Sequence, residues 1–288
     1  MFFTRLALSL QGMKRYTINV RGALMTFDTP RVMGILNVTP DSFYEASRVA
    51  DGDSLLLRAR KMVADGADIL DIGACSTRPG GAIVSEDEEL RRLHAALDLL
   101  DKELPQAVVS VDTFRARVAR ECAERHNVAI INDVSGFSAD ARMLDVVAQL
   151  RLPYVLTHSV GSSDSRPHYE NFLPEVLTAL SRKMWQLRQQ GVADVIIDPG
   201  FGFGKSVEQN YAMLASLPEF AALDAPVLVG VSRKSMITKV LNVSAAEALN
   251  GTTILNAFAL MGGAHILRVH DVAPAVEAVR LYKALRGE

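Results

Sequence analysis

The chain has 288 residues, of which 49% are hydrophobic and 22% are charged, so it holds enough apolar material for a large folded core. The formal net charge is −2 and no long basic run occurs, which argues against nucleic acid and anionic membrane surfaces as partners. Only two cysteines are present, and no apolar run reaches the roughly eighteen residues of a membrane span, so we expect a cytoplasmic protein without disulfides. Residues 1–12 are predicted to be a disordered extension, because no small-residue cleavage site of a signal peptide is evident there.

Along the chain, short apolar runs alternate with longer amphipathic stretches. Residues 16–27, with Arg21-Gly22 in the middle, are typical of a β-hairpin. The predicted strands are, in order, Arg31–Asn37, Ile69–Gly73, Val108–Asp112, Ala129–Asp133, Tyr154–His158, Val195–Asp198, Val227–Val231 and Ile266–His270. The predicted helices cover residues 54–67, 86–104, 114–126, 140–150, 174–190, 207–222, 245–262 and 273–286.

Strands that alternate with helices of this length indicate crossover units and a parallel sheet. Eight such units match the size of a closed barrel. A doubly wound open sheet is the alternative, because a sequence does not reveal strand order. We therefore predict the α/β class, with a single (β/α)8 TIM barrel over residues 13–288 and an N-terminal β-hairpin that plugs its lower end.

The predicted strands are apolar and then become polar at their ends. The polar positions are Asn37, Asp71, Asp112, Asn132, Asp133, Thr157, His158, Asp198, Ser232, Arg233, Lys234, Arg268 and His270. Barrel enzymes place their chemistry at the carboxyl ends of the strands, so these side chains predict an active site on that face. Asp133 has two open interpretations: it orients Asn132, or it caps the next helix.

The charges of this face are sorted by strand. We expect Asp112 and Asp198 to point inward, with Asn132 between them. The basic side chains belong to the last two strands: Lys234, Arg268 and His270. Because carboxylates accept paired N–H bonds and Arg and His suit anions, the pattern predicts a ligand with an aminopyrimidine-like edge at one end and a phosphate-like group at the other.

Residues 200–206 read Gly-Phe-Gly-Phe-Gly-Lys-Ser and invite comparison with a phosphate-binding loop. The comparison fails, because Pro199 stands where a Walker A loop needs Gly and the Gly-x-Gly-x-Gly spacing does not fit a dinucleotide fingerprint. We interpret these glycines as positions where the backbone approaches a ligand closely.

Seven motifs together resemble the dihydropteroate synthase family and occur in that family's order. They are MGILNVTPDSF (33–43), DIGACSTRPG (71–80), SVDTF (110–114), INDVSG (131–136), DPGFGFGK (198–205), VSRKS (231–235) and RVHD (268–271). The resemblance runs from about residue 14 to the end of the chain. It implies an enzyme of folate synthesis that joins 6-hydroxymethyl-7,8-dihydropterin diphosphate to 4-aminobenzoate and releases 7,8-dihydropteroate and pyrophosphate. It also implies a homodimer and a sulfonamide target.

The resemblance further implies residue roles. Asp112, Asn132 and Asp198 are expected to hold the pterin edge, and Lys234 to reach the ring. Arg268 and His270 are expected to hold the diphosphate, with Mg²⁺ as cofactor and Asn37 as its ligand. The expected aminobenzoate side consists of Thr77, Arg78, Pro79, Phe203 and Ser235, and Asp41 and Ser42 are expected to help the first loop close. Of these residues, the ones expected to act in catalysis are Asp112, Lys234, Arg268 and His270.

The chain also departs from the commonest pattern of the family. Cys75 stands where many members have Glu, Thr157-His158-Ser159 replaces the more usual Met-His-Met, and the first loop lacks Asp-Gly-Gly. Three alternatives remain open at this point. They are a methyltetrahydrofolate-binding methyltransferase domain, which would need a corrinoid partner, a non-catalytic pterin-binding paralogue, and a sugar-phosphate barrel enzyme.

Overall fold

The computed structural model describes residues 14–38, 48–75, 84–160 and 172–288. Its first element is an antiparallel hairpin of β1 (Thr17–Val20) and β2 (Ala23–Thr26). Arg21 and Gly22, between the strands, have φ angles of 52° and 84°, as a type I′ turn requires at both central positions. The predicted hairpin is therefore confirmed, whereas the predicted extension over residues 1–12 lies outside the described residues.

Eight further strands form a parallel sheet. They are β3 (Arg31–Asn37), β4 (Ile69–Gly73), β5 (Val109–Asp112), β6 (Val128–Asp133), β7 (Tyr154–Thr157), β8 (Val195–Asp198), β9 (Leu228–Val229) and β10 (Ile266–Val269). The order in the sheet is β8-β7-β6-β5-β4-β3-β10-β9, and a parallel bridge from Ile197 to Val227 joins its two edges. The sheet therefore closes into a barrel, which confirms the (β/α)8 prediction and excludes the open doubly wound sheet.

Helices follow the strands within the described ranges. They are α1 (Arg48–Ala64), α2 (Glu86–Glu103), α3 (Ala116–Arg125), α4 (Met143–Leu150), α5 (Phe172–Gln189), α6 (Val207–Ala215), a 3₁₀ helix (Leu217–Leu223), α7 (Ser235–Leu241), α8 (Leu249–Met261) and α9 (Val272–Leu285). None of these helices combines the length and the apolar character that a membrane span would need.

Two predicted elements need correction, and one helix was missed. The helix expected over residues 207–222 is two segments, because Pro218 has no N–H to continue the α-helical ladder and fits only the first turn of the new segment. Helix α7 was not predicted. The strand expected over Val227–Val231 is only two residues long, since the chain leaves the sheet at Gly230 and carries Ser232 and Lys234 away from it.

The buried apolar residues form two clusters. The larger one packs the helices against the outer face of the barrel. The smaller one fills the amino-terminal end of the barrel, and we call it the lower core. Its hairpin members are Ile18, Val20 and Phe27, and its barrel members include Met33, Ile69, Ile130, Ile196, Leu228 and Ile266. The hairpin thus seals this end of the barrel, as expected, and leaves the carboxyl end for a site.

Candidate active site

The register between the strands determines which polar side chains lie at the same height along the barrel axis. Asn37 pairs with Gly73, Gly73 with Asp112, and Asp112 with Asn132 on successive strands. One inward position lower, Asp71 pairs with Ser110. Because alternate residues of a strand face the same side, these positions all line the barrel interior. We call the polar interior positions of β3 to β8 and β10 the upper layer; they are Asn37, Asp71, Ser110, Asp112, Asn132, Thr157, Asp198 and Arg268.

A hydrogen-bonded network crosses the upper layer and is centred on Asp71. Its Oδ2 accepts hydrogen bonds from Asn132 Nδ2 at 2.9 Å and from Arg268 Nε at 2.6 Å. Arg268 Nη2 also donates to Asp112 Oδ2 at 2.5 Å. Burial opposes the charge of Arg268, but the carboxylates of Asp71 and Asp112 outweigh it and raise the pKa of the guanidinium. The network ties β4, β5, β6 and β10 together around one cation.

Two further carboxyl groups of the site carry an electrostatic cost. Burial raises the pKa of Asp112, with Arg268 opposing the shift and Asp71 adding to it. Burial also raises the pKa of Asp198, which Lys234 opposes. Asp198 Oδ1 accepts a hydrogen bond of 2.7 Å from Gly200 N. A ligand that brings N–H donors into the barrel would therefore stabilise the charged form of both carboxyl groups.

Lys234 lies on the other side of the site, above the glycine-rich segment. Its Nζ donates to Phe201 O at 2.6 Å and lies 4.8 Å from the centre of the Phe203 ring. Burial lowers the pKa of Lys234 to about 8, against the attraction of Asp198. The pKa of this ammonium group is thus brought closer to neutral pH, and Phe203 lies beside it.

The glycines of this segment serve close packing within the protein. Gly200 has a φ of 75°, and a Cβ there would lie 1.9 Å from His158 O. A Cβ on Gly202 would lie 3.2 Å from Lys234 Cδ. Lys205 Nζ holds the same loops by donating to His158 O at 2.9 Å and Gly200 O at 2.7 Å. The close approaches at these two glycines are to protein atoms, so packing within the protein already requires glycine there. That the backbone also approaches a ligand here stays a prediction.

The remaining predicted residues occupy the rim of the site or lie outside the described residues. Asn37 is half-buried at the same height in the barrel as Asp112. Its Oδ1 would lie 3.7 Å from a Cβ atom added to Gly73. His270 Nδ1 lies 3.0 Å from Ser232 Oγ, and Ser235 is exposed at the start of α7. The predicted residues outside the described ranges are Asp41, Ser42, Thr77, Arg78 and Pro79.

Asp133 turns away from the barrel interior. It accepts hydrogen bonds from Ser135 N at 2.8 Å, Phe137 N at 2.7 Å and Tyr154 Oη at 2.8 Å. It therefore stabilises the loop after β6 and does not orient Asn132. Cys75 is half-buried, and burial raises the pKa of its thiol, which opposes the formation of a thiolate nucleophile.

Asp71 belongs to the polar positions of the predicted face, but sequence reasoning gave it no role in the site. It is fully buried, and its Oδ1 has no hydrogen-bond partner among the described residues; the same is true of Ser110 Oγ and Thr157 Oγ1. The available signal was its position two residues before Gly73, in the middle of an otherwise apolar strand. That spacing gives Asp71 the same inward direction as the rest of the upper layer.

Comparisons with known proteins agree with this geometry. A family model described as "Pterin binding enzyme" matches residues 33–270. The dihydropteroate synthase of Escherichia coli (strain K12) is 40% identical over 269 residues, which is 92% of this chain and 94% of that protein.

Solved structures match the fold over nearly the whole chain. Xanthomonas albilineans dihydropteroate synthase with 4-aminobenzoic acid has a TM-score of 0.87 and 37% identity, covering 96% of this chain and 100% of that one. Yersinia pestis dihydropteroate synthase in complex with a sulfonamide drug also has a TM-score of 0.87 and 37% identity, with 95% and 100% covered. The chain therefore belongs to the dihydropteroate synthase family of pterin-binding enzymes.

Proposed function

We propose that this chain condenses 6-hydroxymethyl-7,8-dihydropterin diphosphate with 4-aminobenzoate, giving 7,8-dihydropteroate and pyrophosphate for folate synthesis. The observation that carries the proposal is the upper layer, where Asp112, Asn132 and Asp198 meet Lys234 and Arg268 inside one barrel mouth. Family membership supports the same reaction, because the E. coli relative that covers nearly all of the chain is named for it.

The pterin edge fits the carboxyl side of this layer. A 2-amino-4-oxo ring presents N–H donors side by side, and a carboxylate accepts two of them at once. Asp198 is buried and Asp112 is partly buried, and the pKa of each carboxyl is raised, so donors from a ring would relieve the cost of their charge. Lys234 Nζ would face the ring from the side of Phe203.

The reaction needs a leaving diphosphate and a stabilised carbon centre. The bond between the methylene carbon and the diphosphate oxygen breaks first, and the electron-rich dihydropterin ring stabilises the resulting cation. Arg268 uses Nε and Nη2 for Asp71 and Asp112, so other N–H groups of its guanidinium remain to hold the departing anion together with His270. The amine of 4-aminobenzoate then attacks the carbon and gives up a proton to water. Because this amine is neutral at pH 7, a strong general base is not required.

Mg²⁺ fits the donor set at the rim. No group of three or more His, Cys, Asp or Glu side chains among the described residues could hold a metal by itself. Mg²⁺ commonly takes one or two protein oxygens together with substrate phosphates and water, and Asn37 offers an amide oxygen on the level of Asp112. When bound, the ion would neutralise charge on the diphosphate.

We also propose that the chain forms a homodimer through its last helices. Six large apolar side chains on α7, α8 and α9 are between 45% and 72% exposed: Val240, Leu241, Ile254, Phe258, Leu281 and Leu285. Exposed apolar residues grouped on neighbouring helices mark an interaction surface. Sedimentation equilibrium of the protein and of Phe258→Glu tests this proposal, and a monomeric wild-type chain would contradict it. A cytoplasmic location likewise stays a proposal, to be checked by cell fractionation.

One assay tests the reaction. Purified protein is mixed with the pterin diphosphate, 4-aminobenzoate and Mg²⁺, and dihydropteroate is measured by mass spectrometry with pyrophosphate by a coupled assay. We expect both products in equal amounts, and none with Asp198→Ala. A folded wild-type protein that binds the pterin but forms no product would instead be the non-catalytic pterin-binding paralogue.

A further inference from the structure

Asp71 occupies an unusual position for a carboxylate. It is fully buried in the barrel interior below the mouth, and only one of its oxygens is hydrogen-bonded by described residues. A buried acceptor without a partner costs free energy that an apolar side chain would avoid. Stability alone does not explain this residue, but its hydrogen bonds constrain the orientation of its neighbours.

The first consequence concerns the amide of Asn132. Asp71 Oδ2 also accepts from Arg268, so it acts as an acceptor, and the atom of Asn132 that faces it at 2.9 Å must be the donor Nδ2. A flipped amide would place Asn132 Oδ1 against Asp71 Oδ2, acceptor against acceptor, in a residue that is only 1% exposed. Asp71 thus prevents the amide from flipping. The positions of its acceptor, Oδ1, and of its remaining donor, the second N–H of Nδ2, are therefore fixed.

That order matches one kind of ring edge. A 2-amino-4-oxo ring presents an acceptor, N1, next to a donor, the 2-amino group. A 2,4-dioxo ring presents the opposite order, a donor at N1–H next to an acceptor at the 2-oxo group. An amide whose donor and acceptor are fixed binds the first edge and rejects the second, because the wrong edge leaves buried polar groups unpaired.

We propose that Asp71 is a positioning residue that fixes the polarity of the Asn132 amide and so sets the preference for a 2-amino over a 2-oxo ring. The inference rests on the proposed function, in which the ring lies against Asn132. Asp71 is fully buried and acts through Asn132 and Arg268 rather than by touching the ring.

The test compares two ligands and three proteins. Dissociation constants for 6-hydroxymethylpterin and 6-hydroxymethyllumazine, its 2-oxo counterpart, are measured by calorimetry on wild type, Asp71→Asn and Asp133→Asn. We expect the wild type to prefer the 2-amino ligand by about 100-fold, and Asp71→Asn to reduce this ratio by about tenfold or more, because an amide at position 71 accepts either orientation of Asn132. Asp133→Asn is the matched control, since Asp133 is equally buried on β6 of the same barrel but faces the loop after that strand. Its ratio is expected to stay within about twofold.

The outcomes separate the two proposals. A folded Asp71→Asn protein with the wild-type ratio contradicts the role of Asp71, while a wild type that binds neither ring contradicts the proposed function itself. If Asp71→Asn does not fold, the fixed orientation of the Asn132 amide can still be tested on the wild-type protein. Its Asn132 carboxamide protons, assigned by comparison with Asn132→Ser, should exchange with solvent far more slowly than those of exposed Asn242 in the absence of ligand. Equal exchange rates would show that the amide is not locked.

Discussion

The lower core and the upper layer are built on the same strands and face the same interior, yet their chemistry is opposite. Four strands make the contrast directly, with an isoleucine in the lower core and a polar residue two positions later: Ile69 and Asp71, Ile130 and Asn132, Ile196 and Asp198, Ile266 and Arg268. Two residues of a strand span only about 6–7 Å. Two positions along each of these strands therefore separate the part that stabilises the fold from the part that we propose binds the ligand.

The difference also explains why the hairpin matters to the site. The lower core is completed by Ile18, Val20 and Phe27, which cover the end of the barrel that carries no polar layer. Burial of apolar surface there offsets the cost of keeping Asp71, Asp112 and Asp198 inside the barrel. Mutations in the two regions should consequently act on different quantities.

The largest effect is expected for Phe27→Ala. Phe27 is fully buried in the lower core, so its truncation should lower the free energy of unfolding by about 3–5 kcal/mol. Urea denaturation measures the loss, and pterin affinity of the folded fraction should stay within about twofold. Leu24→Ala on the same hairpin is the control, because Leu24 is 74% exposed and its truncation should change little. A large loss of pterin affinity in Phe27→Ala would contradict the proposal that the lower core affects stability and not ligand binding.

Asp198→Ala should have the opposite effect, changing ligand affinity strongly and the free energy of unfolding little. We expect pterin binding to weaken by at least about 100-fold, because two N–H donors of the ring lose their acceptor. The free energy of unfolding should change little or rise, since burial already opposes the charge of this carboxyl. Calorimetry and urea denaturation on the same sample separate the two effects. Wild-type affinity in this variant would remove Asp198 from the site.

Lys234 gives the site a predicted pH dependence. Its pKa is lowered to about 8 by burial, so the ammonium is present below that pH and is lost as the pH rises through it. We expect dihydropterin affinity to fall by about tenfold between pH 7 and pH 9.5, because a charge-assisted hydrogen bond becomes a neutral one. Lys234→Arg keeps its charge over this range and should show a weaker fall, while titration of the ligand contributes equally to both proteins. Identical pH profiles would contradict the assignment.

The smallest effect belongs to a carboxylate outside both regions. Asp140 accepts hydrogen bonds from Arg142 and from Ala116 N at the start of α3, and these lower its pKa from 3.8 to about 2. A lowered carboxyl pKa contributes stability that is present above about pH 4 and is lost as the pH falls toward 2. Asp140→Asn should therefore cost about 1 kcal/mol at pH 7 and converge with wild type near pH 2. Acid titration of the unfolding free energy checks this, and a constant gap across that range would refute it.

Much of this protein followed from local sequence. Strand positions could be read from apolar runs that end in polar residues, and three of the eight barrel strands have the predicted bounds, as in Ile69–Gly73. The turn at Arg21-Gly22 and the alternation of strands and helices were equally visible, because each depends on residues close in the chain. The order of the motifs along the chain likewise indicated the family, because each motif is local in sequence.

The partners across the barrel were decided only by the tertiary structure. Asp71 and Arg268 are 197 residues apart, and their contact depends on the pairing of β4 and β10 with opposite edges of β3 and on the stagger between them. Sequence placed Arg268 with the diphosphate, whereas the fold also pairs it with Asp71 and Asp112; it turned Asp133 outward and made Asp71 the centre of the network. A strand's own residues determine which side chains point inward, but only the register between strands determines which of them meet.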